Sequence, residues 1–221
     1  MSGDITDKPL ALVTGASRGI GAATAEELAR RGWHVLMTAR TEGALEEVED
    51  RIHKAGGSAT LAPFDLADGE AIMRLAQAVH GRWGRLDALV INAALLGELG
   101  PIAHVDDKQF AQLYTVNVAA SFRLIKAFDP LMRAAEQPQI VAVTSSVAQK
   151  PRAYWGPYAS SKAALENLAE TYGQENDKAK VHIYNPGATA TKMRSLAFPG
   201  EDQTALQKPE EAARQIADLI S

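Results

Sequence analysis

Residues 10–21 read Leu-Ala-Leu-Val-Thr-Gly-Ala-Ser-Arg-Gly-Ile-Gly, and this stretch decides the fold. The apolar run at residues 10–14 predicts a buried strand, and the Ala- and Glu-rich residues 22–31 predict a helix after the glycines. Glycines let the backbone approach a pyrophosphate closely, and a helix N-terminus offers free N–H groups to it. The stretch is therefore typical of a phosphate-binding βαβ unit, although the spacing Gly-x-x-x-Gly-x-Gly also suits an ordinary strand-to-helix turn.

Strands and helices alternate along the rest of the chain. Asp68 and Asp106 are predicted helix caps, Pro130 predicts a kink or a break, and the last helix opens at Pro209. This alternation predicts an α/β fold, a Rossmann-type doubly wound parallel sheet in three αβα layers, with six strands in a single domain over residues 1–221. The further predicted strands are residues 33–39, 58–64, 87–91, 139–144 and 180–184, and the further helices are 42–55, 68–80, 106–135, 158–173 and 210–220.

Composition narrows the classes of function. The net charge is −4 with no basic block, which argues against nucleic acid as a partner. The chain has no cysteine, which excludes disulfides and thiolate chemistry, and we predict no metal site. No apolar run approaches about 18 residues, and residues 1–9 lack the features of a signal peptide, so we expect no membrane span and a cytoplasmic location.

Residues suited to ligand binding follow all six predicted strands. In a doubly wound sheet the ligand lies at the carboxyl ends of the strands. A single ligand-binding site explains this joint placement better than six independent coincidences do. The strand-end residues are Gly15, Arg40, Asp65, Asn92, Ser145 and the pair Pro186-Gly187.

Arg40 bears on the choice of cofactor. In a dinucleotide fold the end of the second strand contacts the adenosine ribose, where a carboxylate suits NAD and an arginine suits the 2′-phosphate of NADP. The strand ends with Thr38-Ala39-Arg40-Thr41, and this stretch has no carboxylate before Glu42. Arg18 in the glycine turn is a second cation for the same phosphate. We therefore predict NADP(H) rather than NAD(H); the alternative is two solvated surface arginines.

Tyr158 and Lys162 are four positions apart at the start of an alanine-rich predicted helix, so they share one face of it. An ammonium near a phenol favours the phenolate, and we expect Lys162 to lower the pKa of Tyr158 for proton transfer to a carbonyl oxygen. Such a pair also occurs by chance. Asn117 is a poor residue for a helix interior, so it either faces solvent or has a specific task.

Together these residues resemble the short-chain dehydrogenase/reductase family over residues 10–191. Residues 14–21 resemble its cofactor turn, Asn92-Ala93-Ala94 its Asn-Ala-Gly signature, and residues 186–191 its nicotinamide-binding segment. The resemblance implies a catalytic set of Asn117, Ser145, Tyr158 and Lys162, with Ser145 preferred to Ser146 because it lies thirteen residues before Tyr158. It implies cofactor contacts from Gly15, Ser17, Arg18, Gly19, Ile20, Gly21, Arg40, Asp65, Leu66, Asn92, Ala93, Tyr158, Lys162, Pro186, Gly187, Thr189 and Thr191.

In this family Tyr158 would exchange a proton with a small-molecule carbonyl or alcohol substrate, Ser145 would orient the substrate oxygen, and Asn117 would hold a water linked to Lys162. Ala94 departs from the usual glycine, and only residues 192–207 are available as a substrate lid. The family's last strand has no counterpart after Pro209, so we expect a homodimer through the helices at 110–135 and 158–173 rather than a tetramer.

Two other functions remain open. The chain could be a non-catalytic NADP(H)-binding sensor or partner-binding protein of the same fold, or another doubly wound enzyme such as a methyltransferase. Some apolar residues could line a substrate pocket or could equally be core and lid packing. These are Leu95, Leu96, Trp155, Met193, Leu196 and Phe198.

Overall fold

A computed structural model describes residues 5–220 as one six-stranded sheet flanked by helices. All neighbouring strands are parallel, in the order β3-β2-β1-β4-β5-β6, which confirms the predicted doubly wound sheet. The sequence order reverses between β1 and β4, where such folds bind their ligands. The strands are β1 (Leu10–Thr14), β2 (His34–Ala39), β3 (Ser58–Pro63), β4 (Ala88–Ile91), β5 (Gln139–Val143) and β6 (Lys180–Tyr184).

The helices form one layer on each face of the sheet. They are α1 (Gly19–Arg30), α2 (Glu42–Lys54), α3 (Gly69–Arg82), α4 (Asp107–Tyr114), α5 (Ala120–Ala134), α6 (Gly156–Glu175), α7 (Lys192–Ala197) and α8 (Pro209–Leu219). No helix within residues 5–220 has the length and apolar character needed to cross a membrane.

The sheet has one hydrophobic core on each face, because side chains alternate between the faces along every strand. In β1, Leu10 and Leu12 point to one face while Ala11 and Val13 point to the other, because successive side chains of a strand alternate. The first core packs against α3, α5 and α6 around the fully buried Phe128. The second packs against α1, α2 and α8. The central strands β1, β4 and β5 are buried along their whole length, as expected for a sheet covered on both faces.

Helix boundaries differ from the predicted ones at two places that concern the site. The first helix begins at Gly19 rather than at residue 22, so Gly19, Ile20 and Gly21 form its first turn. The predicted helix over 106–135 is divided into α4, a π-helical turn over Thr115–Ala119, and α5. Pro130 does not break α5, which continues for another turn to Ala134.

The predicted caps are confirmed. Asp68 accepts hydrogen bonds from the backbone N–H groups of Glu70 and Ala71 at the start of α3, and Asp106 caps α4 in the same manner. The predicted lid region contains α7 and a short 3-10 turn over Gln203–Ala205, joined to the end of the sheet by the bridge between Thr189 and Gln207.

Candidate active site

The glycine turn between β1 and α1 is tightly fitted to the end of β4. Gly15 has a φ of 67°, in the left-handed region that favours glycine, and a Cβ on Gly21 would overlap the Gly15 carbonyl group. The Asn92 amide nitrogen donates to the Thr14 carbonyl oxygen at 2.9 Å, and the Thr14 hydroxyl accepts from the backbone N–H groups of Asn92 and Ala93. Thr14, which the sequence analysis did not identify as a site residue, therefore joins the end of β1 to the end of β4 by hydrogen bonds, next to the glycine turn.

Arg18 lies in this turn and Arg40 follows the end of β2. The backbone N–H of Ala16 donates to the Thr38 carbonyl oxygen at 3.1 Å, so the turn and the end of β2 are adjacent. Both arginines are exposed, and within residues 5–220 neither forms an ion pair or a side-chain hydrogen bond. Two unpaired guanidinium groups beside a glycine turn fit a cofactor with an additional phosphate.

The other predicted cofactor residues lie at the same edge. Asp65 is exposed and its carboxylate accepts from the backbone N–H of Ala67 at 2.9 Å, while the next residue, Leu66, is buried. After β6, Gly187 has a φ of 67°, and the Thr189 hydroxyl donates to the Pro186 carbonyl oxygen at 3.0 Å. Ser17 and Ile20 are half-buried in the glycine turn.

Asn117 lies in the π-helical turn and has a specific task, because it is 1% exposed. Its Oδ1 accepts from the Leu95 N–H at 2.8 Å, and its Nδ2 donates to the Leu95 carbonyl oxygen and to the Ser161 hydroxyl at 2.9 and 3.0 Å. The side chain thus joins the loop after β4 to α6. A π-turn is the local distortion that directs one side chain out of the helical register, and such turns often occur at functional sites.

Lys162 is the most deeply buried charged residue of the site. It is 2% exposed, and its ammonium donates to the Val143 carbonyl oxygen at 2.7 Å at the end of β5. Burial lowers the pKa of Lys162 to about 8, and the charge of Glu166 opposes this shift. Lys162 Nζ lies 5.9 Å from the centre of the Tyr158 ring, so both side chains occupy the predicted common face of α6.

The expected lowering of the Tyr158 pKa is wrong for the free protein. Burial raises the pKa of Tyr158 to about 12, because the hydroxyl is removed from water. The hydroxyl donates to the Met193 thioether sulfur, at 3.9 Å. The four-residue spacing of Tyr158 and Lys162 predicted the correct common face of α6, but it could not predict that the Tyr158 hydroxyl is buried.

Ser145 lies two residues after the end of β5, and its hydroxyl has no hydrogen-bond partner within residues 5–220. It is half-buried, whereas Ser146 is exposed and begins a 3-10 turn. The difference favours Ser145 as the hydroxyl available to a ligand.

The lid connects the glycine turn to Tyr158. The Thr191 side chain caps α7, and a Cβ on Gly19 would lie 3.4 Å from the Thr191 methyl group. Two residues later, Met193 covers the Tyr158 hydroxyl. Thr191 and Met193, two residues apart, therefore link the glycine turn to Tyr158.

Aromatic and charged side chains hold the lid over the start of α6. The Trp155 ring lies 5.9 Å from the Tyr158 ring and 5.7 Å from that of Phe198. Arg194 lies over Phe198 and forms a two-pronged ion pair with Glu201, at 2.6 and 2.5 Å. Of the proposed pocket residues, Leu96, Trp155 and Met193 pack around Tyr158 while Leu196 is 65% exposed.

Comparisons with known proteins agree with this arrangement. The family model described as short chain dehydrogenase matches residues 9–202. An uncharacterised oxidoreductase of Escherichia coli K12, YciK, is 35% identical over 210 residues, which are 93% of this chain and 83% of the relative.

Solved structures give the same result. A short chain dehydrogenase of Shigella flexneri 2a in complex with NADP has a TM-score of 0.93 and 34% identity, covering 96% of this chain and 91% of that one. One from E. coli CFT073 in complex with NADPH has a TM-score of 0.93 and 35% identity, with coverages of 96% and 90%.

Proposed function

The chain belongs to the short-chain dehydrogenase/reductase family, and on this premise we propose that it is an NADP(H)-dependent oxidoreductase acting on a small carbonyl or alcohol substrate. One observation carries the proposal: the lid that contacts the glycine turn through Thr191 also covers the hydroxyl of Tyr158 through Met193. A phenol and a phosphate-binding turn that one segment links can serve one reaction.

The residues present fit the cofactor. The turn packs so closely on the end of β4 that a side chain at Gly15 or Gly21 would clash with protein atoms, and the N-terminus of α1 offers free N–H groups to a pyrophosphate there. Arg18 and Arg40 would pair with the 2′-phosphate, because both are unpaired within residues 5–220. When bound, the nicotinamide supplies the hydride.

Tyr158 would provide the proton. Because burial raises its pKa to about 12, the free enzyme holds this phenol protonated at neutral pH, which is the state needed to protonate a carbonyl oxygen. The Lys162 ammonium, on the same face of α6, would stabilise the phenolate that remains. Substrate must first displace Met193 from the hydroxyl.

Ser145 and Asn117 would have different roles. The uncommitted Ser145 hydroxyl would donate to the substrate oxygen and orient it. The Asn117 amide donates both of its hydrogens, one to the Leu95 carbonyl oxygen and one to the Ser161 hydroxyl. A water bound to Asn117 would therefore have to donate to an oxygen of Asn117. Its first task is to fix the loop after β4 against α6.

The partners follow from the same proposal. The substrate is a small molecule, and the protein would act as a cytoplasmic homodimer through α5 and α6. The second candidate is an NADP(H) sensor without turnover, which the closed lid over Tyr158 favours.

Tyr158→Phe tests the proposal. We follow NADPH absorbance with a panel of ketones and aldehydes, and we measure NADPH affinity by fluorescence. We expect turnover to fall by about 100-fold or more, as for loss of a general acid, with NADPH affinity nearly unchanged. Tyr154→Phe is the matched control, since Tyr154 is 62% exposed on the preceding loop. Retention of more than a few per cent of the activity would exclude Tyr158 as the acid, and NADPH binding without turnover of any substrate would favour the sensor.

A further inference from the structure

Glu166 lies one helical turn after Lys162 on α6, outside the predicted catalytic set. Its Oε1 accepts a hydrogen bond of 2.6 Å from the Thr144 hydroxyl. Thr144 is 5% exposed and stands between Val143, whose carbonyl oxygen holds the Lys162 ammonium, and Ser145. The Thr144–Glu166 contact and the Lys162–Val143 contact therefore both connect α6 to the strand end that precedes Ser145.

Glu166 is also the charge that acts on Lys162. The two side chains form no direct ion pair, but the carboxylate raises the lysine pKa against the effect of burial. Within residues 5–220 no other charged group shifts it. The Tyr158 phenol is the other titratable group near the ammonium, 5.9 Å from Nζ to the ring centre.

The elements packed on α6 do not supply another counter-charge. β5 and the turns at 115–119 and 146–148 have no titratable side chains. On β6, Lys180 is exposed, His182 is hydrogen-bonded to Gln139, and Tyr184 donates to Gln215.

The titratable groups of the neighbouring helices α4 and α5 are also exposed or engaged elsewhere. On α4, Asp107 and Lys108 are exposed and Tyr114 donates to Ser160. On α5, Lys126 is exposed, Arg123 donates to the Ala67 carbonyl oxygen, and Asp129 pairs with Arg133.

We propose that Glu166 is a positioning residue of the active site: its carboxylate, held by Thr144, fixes the end of β5 and supplies the negative charge opposite the Lys162 ammonium. The role is both mechanical and electrostatic. The contact holds the Val143 carbonyl and Ser145 at the end of one strand, and the charge favours the protonated lysine at neutral pH. Its catalytic meaning rests on the proposed function, but the electrostatic effect of Glu166 on Lys162 does not.

The first test therefore uses the free protein without substrate or cofactor. We label lysines with ¹³C and ¹⁵N, follow the Cε resonances by NMR against pH, and assign Lys162 by its absence from Lys162→Met. The wild-type resonance should titrate near pH 8. In Glu166→Gln the midpoint should fall by about one unit, because the opposing charge is gone. Glu170→Gln, which neutralises an exposed carboxylate one turn further along α6, should leave it unchanged.

Two further variants separate charge from contact. Thr144→Val keeps the carboxylate and removes its hydrogen-bond donor, so the Lys162 midpoint should move less than in Glu166→Gln. Glu166→Asp keeps the charge and should retain a midpoint near that of the wild type. Equal midpoints in wild type and Glu166→Gln would overturn the electrostatic part of the proposal. A larger shift in Thr144→Val than in Glu166→Gln would overturn it as well.

The pH profile of turnover gives the second readout. Removing a negative charge makes the Lys162 ammonium easier to deprotonate, so the profile of Glu166→Gln should be displaced to lower pH by a similar amount. A profile that does not move while the Lys162 midpoint does would overturn the catalytic role and leave the electrostatic effect on Lys162 intact. If Tyr158→Phe remains active, the proposed function is wrong. The NMR titration of Lys162 tests the effect of Glu166 independently of that outcome.

Discussion

At the residue scale, we propose that Arg40 sets the preference between the two nicotinamide cofactors. A guanidinium makes charge-assisted hydrogen bonds to the 2′-phosphate of NADPH, and NADH has no such group. We expect Arg40→Ala to raise the Kd for NADPH by about 10- to 100-fold and to change that for NADH by less than about 2-fold. Both constants can be measured by nicotinamide fluorescence.

Arg74→Ala is the matched control for Arg40→Ala. Arg74 is exposed on α3 and pairs with Asp68 and Glu70, at 3.3 and 3.6 Å, so its loss removes a surface arginine away from the glycine turn. Equal weakening of NADPH and NADH by Arg40→Ala would remove the argument for a phosphate contact.

The sequence was informative about where the candidate residues lie in the fold and much less informative about their state. Tyr158, Lys162 and Ser145 could be located because spacing along a helix or after a strand places side chains on a face. The raised pKa of Tyr158 could not, because it depends on burial by Met193, which lies thirty-five residues further along the chain. Thr14, Ser161 and Glu166 carried no recognisable spacing signal.

At the element scale, a small number of contacts anchor the proposed lid over residues 192–207. We expect Arg194→Ala to remove the ion pair with Glu201 and the packing on Phe198, so the backbone N–H groups of Ser195 and Phe198 should exchange about 10-fold faster. Hydrogen exchange followed by mass spectrometry over residues 190–206 measures this.

Arg133→Ala provides the comparison for the lid variant. It also removes an arginine–carboxylate pair, with Asp129 at 2.9 Å, but on α5 and away from the lid. Unchanged exchange in Arg194→Ala would show that packing around Trp155, not the ion pair, keeps the lid closed.

His34 makes the pairing of β2 with β3 sensitive to acid. It is 1% exposed, its ring nitrogens contact the hydroxyls of Ser58 and Thr60 at 3.1 and 2.9 Å, and burial lowers its pKa to about 4. The unfolded chain binds the proton near the ordinary value of about 6.5, so the unfolded state holds more protons between pH 6.5 and 4. Stability must therefore fall as the pH falls through this window.

We expect His34 to account for on the order of 1 to 3 kcal/mol of that loss. Urea unfolding at pH 7 and at pH 4 measures it, and His34→Gln should lose less stability between the two pH values than the wild type does. His80→Gln, at an exposed position at the end of α3, should retain the wild-type difference. Identical differences in wild type and His34→Gln would show that other groups cause the acid sensitivity.

The elements also show where sequence patterns stop being informative. All six strands could be predicted because each is a short apolar run between turn residues. The division of the predicted helix at 106–135 could not, because the π-turn is stabilised by contacts of Asn117 with Leu95 and Ser161, which are distant in sequence. Local propensity marked Asn117 as unusual but could not supply its partners.

At the scale of the whole molecule, an exposed apolar face on α4 and α5 bears on the proposed dimer. Phe110 and Phe122 are 41% and 50% exposed, and a shallow apolar groove lies beside Phe122. The groove is lined by Ala111, Tyr114, Thr115, Val118, Ala119, Phe122 and Leu168. A twofold dimer places the same face of each subunit against its copy, so an apolar face of this kind can cover itself.

We expect Phe122→Glu to convert the dimer to a monomer, because the interface would then bury two carboxylates without partners. Sedimentation velocity at micromolar concentrations measures the change. Met73→Glu is the control, since Met73 is 49% exposed on α3, outside the groove, and should leave the dimer intact. A wild-type protein that sediments as a monomer, or a Phe122→Glu variant that sediments as the wild type does, would exclude this interface. The groove residue Leu168 lies on α6, the helix that also carries Tyr158 and Lys162, so loss of the dimer should lower the activity together with the sedimentation coefficient.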